Sequence, residues 1–121
     1  MTKILIIDDD KLVLVTLRTM LEREGYEVVT VPDGKEGVKC YRENPADLII
    51  TDLIMPQKEG IETITELRQD FPDVKIIAIS GGGRINPETY LGIAEKLGAQ
   101  YTFSKPVVRK KLLKAVRNLL R

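Results

Sequence analysis

Ala46-Asp47-Leu48-Ile49-Ile50-Thr51-Asp52-Leu53-Ile54-Met55-Pro56 is the stretch whose reading decides the fold. Leu48, Ile49 and Ile50 form an unbroken apolar run, and a short strand without polar alternation is one buried on both faces. Asp52 follows where that run ends, and Met55-Pro56 turns the chain away. In open parallel sheets ligands bind outside the carboxyl ends of the strands. Asp52 therefore stands at the binding rim. Taken alone, such an aspartate is more simply a residue that ends a strand.

The first strand ends the same way, with Ile4-Leu5-Ile6-Ile7 running into Asp8-Asp9-Asp10. Two strand ends would thus deliver carboxylates to one rim. At ~4 Å and an effective dielectric near ~20, each like-charge pair costs about 4 kcal/mol. A divalent cation offsets that repulsion, so the cluster reads as a Mg²⁺ site.

Around these two strands the chain alternates. The pattern predicts strands at 3–8, 26–31, 47–51, 74–79 and 99–103, and helices over about 10–24, 34–43, 61–70, 87–97 and 107–120. Leu14, Leu17 and Leu21 have helical spacing, and Gly25 ends their helix. Asp33 is an N-cap with Glu36 at the capping-box position, and Asn44-Pro45 stops the helix that follows. Ile61, Ile64 and Leu67 share one helical face. Val108, Leu112, Val116 and Leu119 are expected to point inward from the last helix. Ser80-Gly81-Gly82-Gly83 follows the fourth strand as an uncluttered loop. Five strand–helix units in 121 residues make one α/β domain over 1–121, a parallel sheet with helices on both faces. A closed barrel of such units needs about 250 residues, so the sheet is open.

Four strand ends then bring polar groups to the rim: Asp8 with Asp9, Asp52, Ser80 and Lys105. Mg²⁺ takes oxygen ligands; Asp9 and Asp52 suit direct ligation, and Asp8 direct or water-mediated ligation. A carboxylate beside such an ion is the type that forms aspartyl phosphates. The charge of a transferred phosphoryl group must be met by metal, hydroxyl and cation, which Ser80 and Lys105 match. The chain has no histidine, removing Ser-His-Asp catalysis, the usual zinc chemistry and any phosphohistidine of its own. Its one cysteine, Cys40, excludes an internal disulfide and suits a reducing compartment.

At these residues the whole chain resembles the receiver domains of two-component response regulators. The matching motifs are Ile4–Asp10, Thr51–Pro56, Ile79-Ser80-Gly81, Gly98-Ala99 and Ser104-Lys105-Pro106. The resemblance implies a flavodoxin-like, three-layer fold with five helices and strand order 2-1-3-4-5. It implies that Asp52 accepts a phosphoryl group from a sensor histidine kinase or phosphotransfer protein, with Asp8 and Asp9 as the acidic pair and the Ile54 carbonyl as a further Mg²⁺ ligand. Ser80 would be the switch hydroxyl, Lys105 the cation paired with the phosphate, and Lys105-Pro106 a cis peptide. The domain would act as a switch, catalysing only its own phosphorylation and dephosphorylation. It would signal through its fourth helix, fifth strand and fifth helix to an effector, to an output domain lost from this chain, or to a second copy in a homodimer. One position departs from the pattern: the switch aromatic that the family carries three residues before the lysine is here Thr102, between Tyr101 and Phe103. The glycine loop would then carry more of the conformational change.

Charge is unevenly divided. Residues 1–60 hold 8 basic and 12 acidic side chains, and residues 61–121 hold 11 and 6, for net charges of −4 and +5. The basic last helix suits a solvated or protein-docking face more than a DNA-binding one, since no second recognition domain accompanies it. A Mg²⁺-dependent phosphatase wants a second acid two residues after its nucleophile, where Ile54 stands. A flavin carrier wants a Ser/Thr-rich phosphate loop after the first strand, where three aspartates would repel the phosphate. No apolar run approaches the roughly 18 residues of a membrane span. Only four apolar residues follow Lys3, too few for a signal peptide, so the expected location is cytoplasmic.

Overall fold

The structure, a computed structural model, describes residues 2–53, 60–80 and 87–121. Its elements run β1 (Lys3–Ile7), α1 (Lys11–Arg23), β2 (Glu27–Val31), α2 (Gly34–Glu43), β3 (Leu48–Asp52), α3 (Gly60–Asp70), β4 (Ile76–Ser80), α4 (Pro87–Lys96), β5 (Tyr101–Ser104) and α5 (Arg109–Leu119). The strands form one sheet in the order β2-β1-β3-β4-β5, and every neighbouring pair is parallel. This is the open, doubly wound α/β arrangement expected from the alternation and the resemblance.

The apolar runs divide residue by residue between two cores. Ile4, Ile6, Leu48, Ile50, Ile77 and Ile79 face α1 and α5, packing against Leu17, Leu21, Leu112 and Val116. Leu5, Ile7, Ile49, Ile76 and Ala78 face the other way, against Val38 of α2, Ile64 and Leu67 of α3, and Ala94 of α4. Each fully buried aliphatic side chain contributes about 1.5–3 kcal/mol. Both faces of the central strands must therefore be apolar, which is why alternation is missing from their sequence.

Caps and turns follow local chemistry. The Asp33 carboxylate accepts the Glu36 amide at 2.8 Å, starting α2 as predicted. Gly25 and Gly98 close α1 and α4 at φ +94° and +104°, a region that side-chain-bearing residues rarely adopt. Two strands start later than their β-formers suggest. Val74 donates its amide to the Phe71 carbonyl, and Ala99 donates to Ala94, so both residues complete helix-end turns before their strands begin.

The last helix corrects one expectation. Val108 is 53% exposed instead of inward, because it is the N-cap of α5 and sits ahead of the buried stripe. Leu113 and Ala115 join Leu112 and Val116 inside, with Leu119 packed at the margin. Among the described residues no helix is long and apolar enough to cross a membrane. Ile54, the Met55-Pro56 turn and Gly81–Gly83 lie outside the described residues.

Candidate functional site

The sheet's parallel register delivers the rim. Asp52 ends β3 opposite Ile79 of β4, so Ser80 lies one residue further along the neighbouring strand, opposite Ser104. The Lys105 amide donates to the Ser80 carbonyl at 3.0 Å, tying the turn after β5 to the end of β4. On the other side of β3, β1 runs directly into Asp8.

These strand ends converge. One carboxylate oxygen each from Asp8, Asp9 and Asp52 lies within 4.8 Å of the others. Asp8 and Asp52 are buried, and Asp9 is exposed. The Lys105 ammonium reaches over both buried acids, 3.1 Å from Asp8 Oδ2 and 3.5 Å from Asp52 Oδ2. Burial pushes the Asp8 carboxyl up, against the Asp10 amide and Lys105, which favour its charged form. Burial also works against the Lys105 ammonium, yet the Asp52 charge and the bond to Asp8 together hold its pKa above the ordinary value. With every acid ionised, three negative charges meet one positive charge. Among the described residues that excess equals the charge of one divalent cation.

Ser80 supplies a second anomaly. It is fully buried, and its hydroxyl has no hydrogen-bond partner among the described residues. A buried hydroxyl left unpaired costs about 1–3 kcal/mol, so this group is available for an incoming acceptor. The acidic trio and this hydroxyl together fit a metal ion and an anionic group.

A family model described as the response regulator receiver domain matches residues 4–117. The chain belongs to that family. Receiver domains of known regulators align along its whole length. The transcriptional regulatory protein CpxR of Escherichia coli is 33% identical over 121 residues, covering 100% of this chain and 50% of its own. The alkaline phosphatase synthesis transcriptional regulatory protein PhoP of Bacillus subtilis is 33% identical over 119 residues, covering 98% and 48%. The chain thus spans about half the length of the curated relatives it matches. Among solved structures, a response regulator receiver domain protein of Clostridium thermocellum superposes with a TM-score of 0.90 at 32% identity, covering 99% of this chain and 94% of that one. A CheY-like receiver domain protein of Methanospirillum hungatei gives 0.88 at 28% identity, with the same coverage of 99% and 94%.

Within this receiver domain the remaining predicted positions fall as follows. The Lys105-Pro106 peptide is cis. Thr102 is half-buried opposite Ala78, whereas Tyr101 and Phe103 pack into the core under α5, on the other face of the strand. Two residues that shape the site escaped the sequence reading. Asp10, the third aspartate of its run, caps α1 by accepting the Leu12 amide at 2.9 Å. An acid immediately before an apolar-periodic helix was the available signal. Gly60 begins α3 hard against the end of β3, where a Cβ would lie 2.2 Å from the Asp52 carbonyl oxygen. Nothing in the sequence distinguishes it from an ordinary helix-opening glycine.

Proposed function

We propose that this receiver domain, as a single unit over residues 1–121, takes a phosphoryl group onto Asp52 and uses it as a switch. The observation that supports this best is the convergence of Asp8, Asp9 and Asp52, with oxygens within 4.8 Å of one another, beside the Lys105 ammonium and the buried Ser80 hydroxyl. Asp8, Asp9 and Asp52 would hold Mg²⁺, with the Ile54 carbonyl as the ligand that family resemblance adds. When bound, the ion neutralises carboxylate and phosphoryl oxygens in the crowded site.

The chain's own groups do the rest. An Asp52 carboxylate oxygen attacks phosphorus as the bond to the donor nitrogen breaks, leaving an aspartyl phosphate. Lys105, already fixed between the two buried acids, meets the added negative charge. The Ser80 hydroxyl, without a partner among the described residues, donates to a phosphoryl oxygen, drawing the end of β4 toward the site. Phosphorylation adds about −1.5 to −2 charges, and a 1:99 to 99:1 switch needs about 5.5 kcal/mol of differential stabilisation. Charge-assisted bonds from Ser80 and Lys105 are of that order together. With Thr102 where the family carries its switch aromatic, movement at Ser80 is not relayed by a turning ring at that strand position.

The donor would be a sensor histidine kinase or a phosphotransfer protein in the cytoplasm, since the chain has no histidine to phosphorylate itself. The recipient of the signal is an effector protein or an output domain, acting through the face of α4, β5 and α5. The transcriptional regulators it resembles, twice as long, favour the second arrangement.

Intact mass after incubation with acetyl phosphate tests this. A single phosphoryl adduct that requires Mg²⁺ and disappears in Asp52→Asn is the expected result. No adduct, together with no binding of beryllofluoride, would overturn it.

A further inference from the structure

Arg68 lies in the last turn of α3, yet its guanidinium bonds beyond that helix. Nη1 donates to the Pro72 carbonyl at 2.7 Å and Nη2 to the Gly98 carbonyl at 2.7 Å. The first bond fastens the side chain to the turn between α3 and β4. The second reaches 30 positions along the chain, to the glycine that closes α4. Carbonyls at the carboxyl end of a helix lack partners within it, and a cation there also meets the negative end of the helix dipole. A rigid, forked guanidinium satisfies two such carbonyls at once, as a lysine does not. Gly98 has φ +104°, and a Cβ there would lie 2.9 Å from Arg68 Nε. The glycine thus serves the backbone angle and makes room for the guanidinium. Nε itself is buried with no hydrogen-bond partner among the described residues, so the side chain is set for its two terminal bonds.

The same end of α4 carries its described anchorage to the core. Ala94 is fully buried, and Leu97 packs against the cluster that holds Ile64 and Leu67 of α3, whereas Gly92 and Ile93 are exposed. The amides of Leu97, Gly98 and Ala99 turn back onto the carbonyls of Ile93, Glu95 and Ala94, closing the helix where Arg68 meets it. The opposite end begins at Pro87, seven residues beyond Ser80. We infer that Arg68 is the pivot of α4: its guanidinium holds the carboxyl end of the helix on α3 while the amino end follows Ser80. Arg68 is then a positioning residue that never touches the phosphoryl group. With one end pinned, a small shift at the end of β4 becomes a rotation of α4 and not a sliding of the whole helix, since hinge closure concentrates change at a few terminal residues. The pin is present in the free chain; its use in switching rests on the function proposed above.

Amide chemical shifts of the whole chain, recorded free and with Mg²⁺ and beryllofluoride, test this. In the parent the first two turns of α4 should shift most, with Leu97, Gly98 and Ala99 moving at most about a third as far. In Arg68→Gln, which removes the forked cation, the response of those three residues should grow about threefold and equal that of the first turns. Arg68→Lys keeps the charge and reaches a single carbonyl, so its response should fall between the two. Should Arg68→Gln not fold, Arg68→Lys decides by the same comparison. A cap with no part in switching would lower stability in both variants and leave the pattern of shifts as it is in the parent. The inference is overturned by that unchanged pattern, or by a parent in which Leu97–Ala99 already move as far as the first turns. The mass experiment separates the two proposals. A phosphoryl adduct with either of those shift patterns removes the pivot alone, whereas no adduct and no beryllofluoride-induced shift anywhere removes the switch and its pivot together.

Discussion

The two ends of the sheet use similar residues to opposite ends. At the amino end, polar side chains are spent on the backbone around them. Asp47 accepts the Lys3 amide at 2.8 Å, Gln100 accepts the Ile76 amide at 2.8 Å, and Lys75 donates to the Leu119 carbonyl at 2.6 Å. At the carboxyl end, three acids crowd one lysine and a buried hydroxyl lacks a partner among the described residues. The first end is complete without any other molecule. The second, among the described residues, gathers more acid than base, and that imbalance sets it apart more clearly than any residue type.

The contrast breaks most severely at Gly60. Gly60→Ala forces the start of α3 away from the Asp52 carbonyl and should cost about 2–4 kcal/mol in urea unfolding. Phosphoryl uptake should fall with it, because the same contact holds the end of β3. Lys105→Met comes next. It removes the ammonium that lies against two buried acids, for a loss of about 2–3 kcal/mol in chelator. Mg²⁺ should then raise the melting temperature of the variant by more than that of the parent; an equal rise would show that the rim does not hold the ion.

Smaller changes sharpen the comparison. Gln100→Ala removes the acceptor of the Ile76 amide and should cost about 1–2 kcal/mol while leaving the Mg²⁺-induced rise in melting temperature unchanged. A reduced rise would mean that the two ends are coupled through β4. Asp10→Ala removes only a helix cap, for about 1 kcal/mol, and should leave phosphoryl uptake intact. Uptake lost in that variant would promote Asp10 from cap to ligand.

How much was legible in the sequence follows from the same physics. Ile4–Ile7, Leu48–Ile50 and Ile76–Ile79 announced their strands because two-sided burial forbids alternation, and parallel strands necessarily send their carboxyl ends to one rim. Asp8, Asp9, Asp52, Ser80 and Lys105 were therefore readable as a group from where the runs stopped. Val108 misled because apolar spacing continues through a cap position without regard to where the helix begins. Asp10 was hidden by two neighbours of identical chemistry, and only geometry assigns three adjacent carboxylates to different tasks. Gly60 was illegible because its reason lies in the Asp52 backbone, eight positions away in sequence and in contact only after folding. The charge asymmetry of the last helix was plain, but the placing of Lys111 and Lys114 beside Tyr101 and Phe103 was not, since it arises only when α5 packs across β5.

The ion pair between Asp8 and Lys105 joins residues 97 positions apart. A chain made from its amino end carries its first acids through most of synthesis before the lysine that restrains them exists. A truncated or half-made copy has the Asp8 and Asp52 carboxylates but not the assembled rim. Spreading the site over four strand ends thus makes its assembly a report on the whole fold: only a finished molecule carries the complete rim.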